Sequence, residues 1–186
     1  MIVGHHCKIS SKAEIGENVV IGDNNVIHDD VFIDENVVIG SNNIIGQPPI
    51  LSGRDEKEFR RLIIKKDVCF EHFNVIERGT VKDAVVDEGS SIGFFCYISH
   101  DAVIGKRCIL FPHCMLCGNV TLKDYVSVDS HVKIFNKVVV GEYSRLFHGA
   151  NVFKSCVAGS FIVGEYGDTL KKWTRKEAFL NKQIRR

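Results

Sequence analysis

Residues 86–128 read VDEGSSIGFFCYISHDAVIGKRCILFPHCMLCGNVTLKDYVSV, and this stretch decides the fold. An aliphatic residue recurs at every sixth position: Val86, Ile92, Ile98, Ile104, Leu110, Leu116, Leu122 and Val128. Four residues after each aliphatic comes a small side chain, as in Ser90, Cys96, Ala102, Cys108, Cys114, Val120 and Val126. One large and one small inward residue in every six suits a coil with flat sides. Each side is a short strand, and Gly, Asn or Asp turns the corner to the next. Three sides make a coil of about 18 residues, and stacked coils offer their backbone groups to one another.

The period extends in both directions. It continues through Ile134, Val140, Leu146 and Val152. An earlier register runs Val3, Ile9, Ile15, Ile21, Ile27, Ile33, Ile39 and Ile45, and a short one reads Ile64, Phe70 and Ile76. A slip of four residues separates this short register from Val86. Gly often follows the aliphatic, as in Ile15-Gly16, Ile21-Gly22, Ile39-Gly40, Ile104-Gly105 and Val140-Gly141. Abundant Val and Ile also argue for strands over helices.

The chain has 186 residues, 45% hydrophobic and 25% charged, an ordinary balance for one globular domain. A net charge of +1 gives no global field to hold a nucleic acid. No apolar run reaches the length of a membrane span, and MIVGHHCKIS lacks an apolar leader core, so a cytoplasmic protein is expected. Of the seven cysteines, Cys7, Cys96, Cys108, Cys114 and Cys156 fall at the small inward position, where Cys is a compact apolar filler. Cys117 lies outside that pattern.

Two segments depart from the period. Residues 46–63, GQPPILSGRDEKEFRRLI, carry Pro48-Pro49 and a charged stretch, and read as an inserted loop or a flap over a site. Residues 1–160 thus form the coil domain and residues 161–186 a basic tail. Within the tail, Thr174-Arg175-Lys176-Glu177 has the form of a capping box and predicts a short helix over 174–182. Residues 171–186 hold seven Lys or Arg and one acid, which suits an acidic or phosphorylated partner, or an end cap on the coil.

His100 is the candidate base, because an imidazole with an unperturbed pKa near 6.5 can take and return a proton at neutral pH, and Asp101 can orient it. One coil further on stands Gly118, and two coils on stands Asn136. His113 and His131, also one coil apart, should stack on one column. Phe135 and Phe153 lie beside the His100 column, as an apolar wall or a subunit contact, and Phe111 and Phe147 form a similar pair on another side.

The hexads over about residues 3–158 closely resemble those of the hexapeptide-repeat acyltransferase superfamily. That resemblance implies an all-β fold, a left-handed parallel β-helix, here with a short C-terminal α-helix. Tyr97-Ile98-Ser99-His100-Asp101-Ala102-Val103-Ile104-Gly105 resembles the family's active-site segment, in which the His is general base. Within the superfamily, the UDP-N-acetylglucosamine acyltransferases give the nearest likeness. In them a Gly one coil on, here Gly118, supplies an N–H to the oxyanion, and an amide residue a coil further, here Asn136, contacts substrate. Glu77-Arg78-Gly79-Thr80 resembles their His-Arg-Gly-Thr segment, with Glu in place of His. Tyr97, Asn119 and Phe135 stand where they carry further site histidines, and are taken here as substrate-binding residues.

The resemblance implies transfer of an acyl group from acyl carrier protein or coenzyme A to an amino or hydroxyl group of a nucleotide-linked sugar. It also implies a homotrimer with the site between subunits, and no tightly bound cofactor or metal. The related γ-class carbonic anhydrases place a third His ligand five residues beyond a stacked one, where this chain has Gly118 and Asn136. Two alternatives stay open: an acetyl-CoA-dependent sugar N- or O-acetyltransferase of surface-glycan synthesis, and a non-catalytic hexapeptide scaffold subunit.

Overall fold

The computed structural model describes residues 1–49, 59–164, 168, 169, 171, 172, 174 and 175. Among these residues short strands alternate among three sheets of ten, eight and seven strands, and all but the last pair in parallel with the strand a full coil away. Thus Tyr97–Ile98 pairs with Val75–Glu77 below and Met115–Leu116 above. The final pair, Phe161–Val163 with Asp168–Thr169, is antiparallel and extends the ten-stranded sheet beyond residue 160. Residues 171, 172, 174 and 175 are helical, so the helix has begun before Thr174, the expected cap, whose hydroxyl instead donates to the Lys171 carbonyl (3.2 Å); residues 176–182 lie outside the described residues.

The aliphatic column fills the interior. From Ile21 onward its members are buried, including Ile64, Phe70 and Ile76 of the short register and every member from Val86 to Val152. The small residues four positions on are buried beside them through Ala150. One inward column is polar: Asn25, Asn43 and Asn74 are fully buried. Their side-chain oxygens accept the N–H of Asn43 (2.8 Å), Asn74 (2.9 Å) and Cys96 (2.8 Å), each one coil on. Each thereby satisfies a corner donor that strand pairing leaves out.

The corners are built differently from the sequence expectation. Apart from Gly46 (φ 79°), the glycines that follow the aliphatics do not take the left-handed conformation. That conformation falls three residues after the aliphatic, at Asn18, Asn24, Asn36, Asp101 and Asn119, and also at Phe73, Phe95, Tyr125 and Tyr143. The glycines serve close stacking instead: a Cβ on Gly105 would lie 2.6 Å from Asp124 Oδ1 and 2.8 Å from the Lys123 carbonyl carbon.

Cys96, Cys108 and Cys114 are buried, whereas Cys7 and Cys156, in the first and last coils, are half-buried. Cys114 and Cys117 have Cys-x-x-Cys spacing, but they flank the strand Met115–Leu116, with Cys114 inside and Cys117 half-buried, and both are free thiols. Burial pushes the Cys108 thiol up to about 11. A thiol reagent should therefore leave Cys96, Cys108 and Cys114 unmodified in the native protein and label all three in denaturant, as read by mass spectrometry. Fast native labelling of Cys108 would contradict this packing.

Candidate active site

Both interruptions of the repeat leave the coil at one corner, where the eight-stranded sheet passes to the seven-stranded sheet. One lies between Ile44–Gln47 and Leu62–Ile64, the other between Val75–Glu77 and Ala84–Val86. Residues 50–58 of the first, and with them most of the inferred flap, lie outside the described residues. The next coil turns this same corner through His100 and Asp101, between Tyr97–Ile98 and Val103–Ile104.

Asp101 has φ of 59°, a conformation that Asp tolerates better than most residues. Its side chain is fully buried. Oδ1 accepts three consecutive N–H groups, from Thr80 (2.8 Å), Val81 (3.0 Å) and Lys82 (3.1 Å). Oδ2 accepts the Thr80 hydroxyl (2.5 Å) and lies 2.7 Å from His100 Nδ1, while Asn119 Nδ2 stands 3.5 Å from it. Burial opposes ionisation of Asp101. The hydrogen bonds from the Thr80 hydroxyl, His100 and the N–H groups of Thr80 and Lys82 outweigh it, and the carboxyl is held well below the usual carboxylate range. An ionised Asp101 requires a proton on Nδ1, so Nε2 of the neutral ring carries the lone pair. The His100 side chain is 25% exposed, and a base of this kind needs such access.

This carboxylate also has a role in stability. Its folded pKa lies below its unfolded value of about 3.9. Its contribution is therefore complete above that value and is lost as the pH falls through the folded one. Urea unfolding should show the stability gap between wild type and Asp101→Asn largest at neutral pH and shrinking below about pH 4. A gap that stays constant into acid would show that Asp101 is not held as an anion.

Beneath the same turn lies a second buried carboxylate, Glu77, 6% exposed. It accepts the Tyr97 hydroxyl (2.6 Å), the Ser99 hydroxyl (2.8 Å) and the His100 N–H (2.9 Å). Burial and then the bond to Glu77 push the Tyr97 phenol up to about 12, so it stays protonated and donates. Arg78 is buried and turns to Asp30, with Nη1 2.6 Å from Oδ2. Gly79 has no room for a side chain: a Cβ there would lie 1.9 Å from the Lys82 carbonyl oxygen. Glu77, Gly79 and Thr80 therefore build the seat of His100, a part the sequence reading did not assign to them. The signal was the slip between Ile76 and Val86, which is the excursion that delivers Thr80 to Asp101.

Gly118 lies under the imidazole. A Cβ on Gly118 would stand 2.6 Å from His100 Nε2 and 2.7 Å from Cε1. Its N–H donates to no protein group among the described residues. The structure thus brings His100, Asp101, Gly118 and Asn119 together and links Tyr97 to them through Glu77. Phe135 is half-buried and stacks on Phe153 with centroids 4.1 Å apart, further along the helix axis. Asn136 is exposed and makes no hydrogen bond to the His100 turn among the described residues. Phe111 and Phe147 do not stack on each other. Asp129 occupies the coil between them, and Phe147 packs on Phe161.

His113 and His131 do stack, 4.8 Å apart and 3° from parallel, continuing a ladder from Phe73 and Phe95. Among the described residues no three His, Cys, Asp or Glu side chains converge as metal ligands. No described helix is long and apolar enough to cross a membrane.

No family model matches the chain. A curated relative, UDP-3-O-acylglucosamine N-acyltransferase of Methylorubrum extorquens strain PA1, is 31% identical over 116 residues, or 62% of this chain and 33% of the relative. The chain thus spans about a third of the length of the curated relatives it matches first. Among solved structures, UDP-N-acetylglucosamine acyltransferase from Campylobacter jejuni superposes with a TM-score of 0.83 at 24% identity, covering 90% of this chain and 66% of that one. The Francisella novicida UDP-N-acetylglucosamine acyltransferase gives a TM-score of 0.65 at 25% identity, covering 95% and 72%.

By fold and by sequence the chain is similar to the hexapeptide-repeat acyltransferases, and its coil is their left-handed parallel β-helix. Within that class the structural likeness is to UDP-N-acetylglucosamine acyltransferases and the sequence likeness is to UDP-3-O-acylglucosamine N-acyltransferases.

Proposed function

We propose that this chain transfers an acyl group from a thioester carrier to an amino or hydroxyl group of a nucleotide-linked sugar, with His100 as general base. The observation that carries this reading is the 2.7 Å contact between His100 Nδ1 and a buried Asp101 carboxylate that three backbone N–H groups hold as an anion. Such a pair has one use that a scaffold lacks: it leaves Nε2 basic on a partly exposed ring. As the acceptor attacks the thioester carbonyl, its proton passes to Nε2 and Asp101 stabilises the imidazolium. The N–H of Gly118 takes the developing oxyanion. Collapse breaks the C–S bond, and the imidazolium returns the proton to the departing thiolate.

The acyltransferase names of the relatives and the structural neighbours support the reaction class and a nucleotide sugar as acceptor. The donor is acyl carrier protein or coenzyme A, and the basic residues of 171–186 suit either the acidic carrier or the phosphates of the coenzyme. The stacked Phe135 and Phe153 suit an acyl chain. A homotrimer would place this site between subunits, and the exposed Phe94, Phe95, Ile109 and Phe111 give such an assembly an apolar surface to bury.

The test is release of free thiol from acyl carrier protein and coenzyme A thioesters in the presence of a panel of nucleotide sugars, with products read by mass. Acceptor-dependent release is the expected result. No release from any donor, together with a stable protein partner in pull-downs, would move the chain to the scaffold class.

A further inference from the structure

The first two coils carry a groove of about 360 Å³ on the eight-stranded sheet, lined by side chains that include Lys8, Ser10, Val26, His28 and Asp29. The strands of this sheet stack in the register Ile27, Ile45, Ile76 and Ile98. The groove therefore shares a sheet with the His100 turn and lies three coils, or about 14 Å, from it along the axis. We propose that this groove is the subsite for the nucleoside of the nucleotide-linked acceptor. The proposal rests on the acyl-transfer reading above, and adds the place and the residues that hold a part of the acceptor which the reaction leaves unchanged.

The groove offers three kinds of contact side by side. Asp29 stands on the corner side, with its side chain 45% exposed. Its Oδ1 accepts the Ser10 hydroxyl (2.5 Å) and its Oδ2 accepts Lys12 Nζ (2.9 Å), and these two bonds hold the carboxyl below its usual range. Each oxygen keeps a second lone pair, so this anion accepts from a pair of hydroxyls, and a ribose diol is such a pair. Lys8 stands on the strand side, is exposed, and enters no ion pair among the described residues. An ammonium only donates, which matches the carbonyl oxygens on the edge of uracil and not the amino group of adenine. Between them Val26 gives an apolar floor for a flat ring. Burial, with Arg78 and Lys8 nearby, pushes the His28 imidazole down, so at neutral pH it adds no charge to that floor.

Length and direction agree with this assignment. A nucleotide sugar carries its nucleoside a diphosphate away from the reacting sugar, and the groove stands off from His100 by a comparable span. One coil above His28 comes Gly46, where a Cβ would lie 2.2 Å from Val31 Cγ2 and 3.5 Å from His28 Cβ. No side chain therefore stands at that step between the groove and the turn. Beyond His100 the same sheet carries the stacked Phe135 and Phe153, which suit an acyl chain and offer nothing to the hydroxyls of a nucleoside. Acceptor and acyl chain thus reach the imidazole from opposite ends of one sheet. No bond forms or breaks in the groove, and Lys8 and Asp29 act only in binding.

The experiment measures binding of UDP, ADP and inorganic pyrophosphate by calorimetry, beside steady-state kinetics with nucleotide sugars. Wild type should bind UDP about 10-fold more tightly than ADP, the scale of one hydrogen bond to a charged group. Lys8→Met should bring that ratio towards unity. Asp29→Ala should weaken UDP by about 10-fold and leave pyrophosphate unmoved, because the diol and not the phosphates meets this residue. Both positions lie at the surface, so the variants should melt with wild type. In kinetics, Asp29→Ala should raise the acceptor KM by about 10-fold, with kcat within about twofold and the donor KM unchanged. UDP should inhibit in competition with the acceptor sugar. Competition with the acyl thioester instead would give the groove to the adenosine diphosphate of coenzyme A and overturn the proposal. UDP affinity unmoved by both variants overturns it as well, and leaves acyl transfer standing. Absence of transfer to every nucleotide sugar overturns acyl transfer itself, and the calorimetric result, which needs no turnover, keeps the two failures apart.

Discussion

His100→Ala is expected to lower kcat by about 10²–10⁴-fold, the usual contribution of a positioned general base. The side chain lies at a corner and is a quarter exposed, so its loss opens no hole in the aliphatic column, and the melting temperature should stay close to wild type. His100→Asn should fall as far, because its amide cannot take the proton. Asp101→Asn should fall comparably for a different reason. Three N–H groups fix the oxygen of that side chain at the Oδ1 position, which turns the new NH₂ towards Thr80 and His100 Nδ1. An NH₂ opposite Nδ1 forces the ring proton onto Nε2 and abolishes the base without removing the imidazole. Steady-state kinetics beside thermal melts checks all three. If His100→Ala keeps more than about half of wild-type kcat, the proton goes elsewhere and the proposed mechanism fails.

Much of the fold could be read from residues alone because the hexad is a packing rule. Each coil presents one large and one small side chain per face to a core of constant width, so Ile92, Ile98 and Ile104 announce themselves by spacing. The corners were less legible. Asn and Asp at left-handed φ were foreseeable, but Phe73, Phe95, Tyr125 and Tyr143 take the same conformation against their intrinsic preference. The next coil supplies the compensation: Phe73 stacks on Phe95 and Tyr125 on Tyr143, each pair 4.9 Å apart and within 6° of parallel. A periodic stack can offset a local strain that no single turn would tolerate.

The site was half legible for a related reason. His100, Asp101 and Gly118 sit on columns one coil apart, and columns follow from the period. Thr80 reaches Asp101 from an excursion that breaks the period, and Glu77 enters from the strand before it. Their partners are 21 and 23 residues away, separations that match no coil. Only the slip in register marked the place.

Gly118→Ala gives the sharpest test of that geometry. Gly118 is absent from the positions of positive φ, so alanine meets no backbone penalty there. Its added methyl would, however, stand 2.6 Å from His100 Nε2 and 2.7 Å from Cε1, inside any real contact distance. The imidazole must move, and the bond from Nδ1 to Asp101 at 2.7 Å must stretch or turn with it. A displacement of about 1 Å at a reacting group can cost on the order of 10²-fold, so kcat should fall by roughly that factor. The variant keeps the Gly118 N–H, so a loss of this size belongs to the ring and not to the oxyanion donor. A double-mutant cycle separates the two further. In the His100→Ala background there is no ring to displace, and Gly118→Ala should then change kcat by less than about twofold. Full additivity of the two losses would mean that Gly118 acts independently of His100, and that the imidazole is not the group this glycine makes room for.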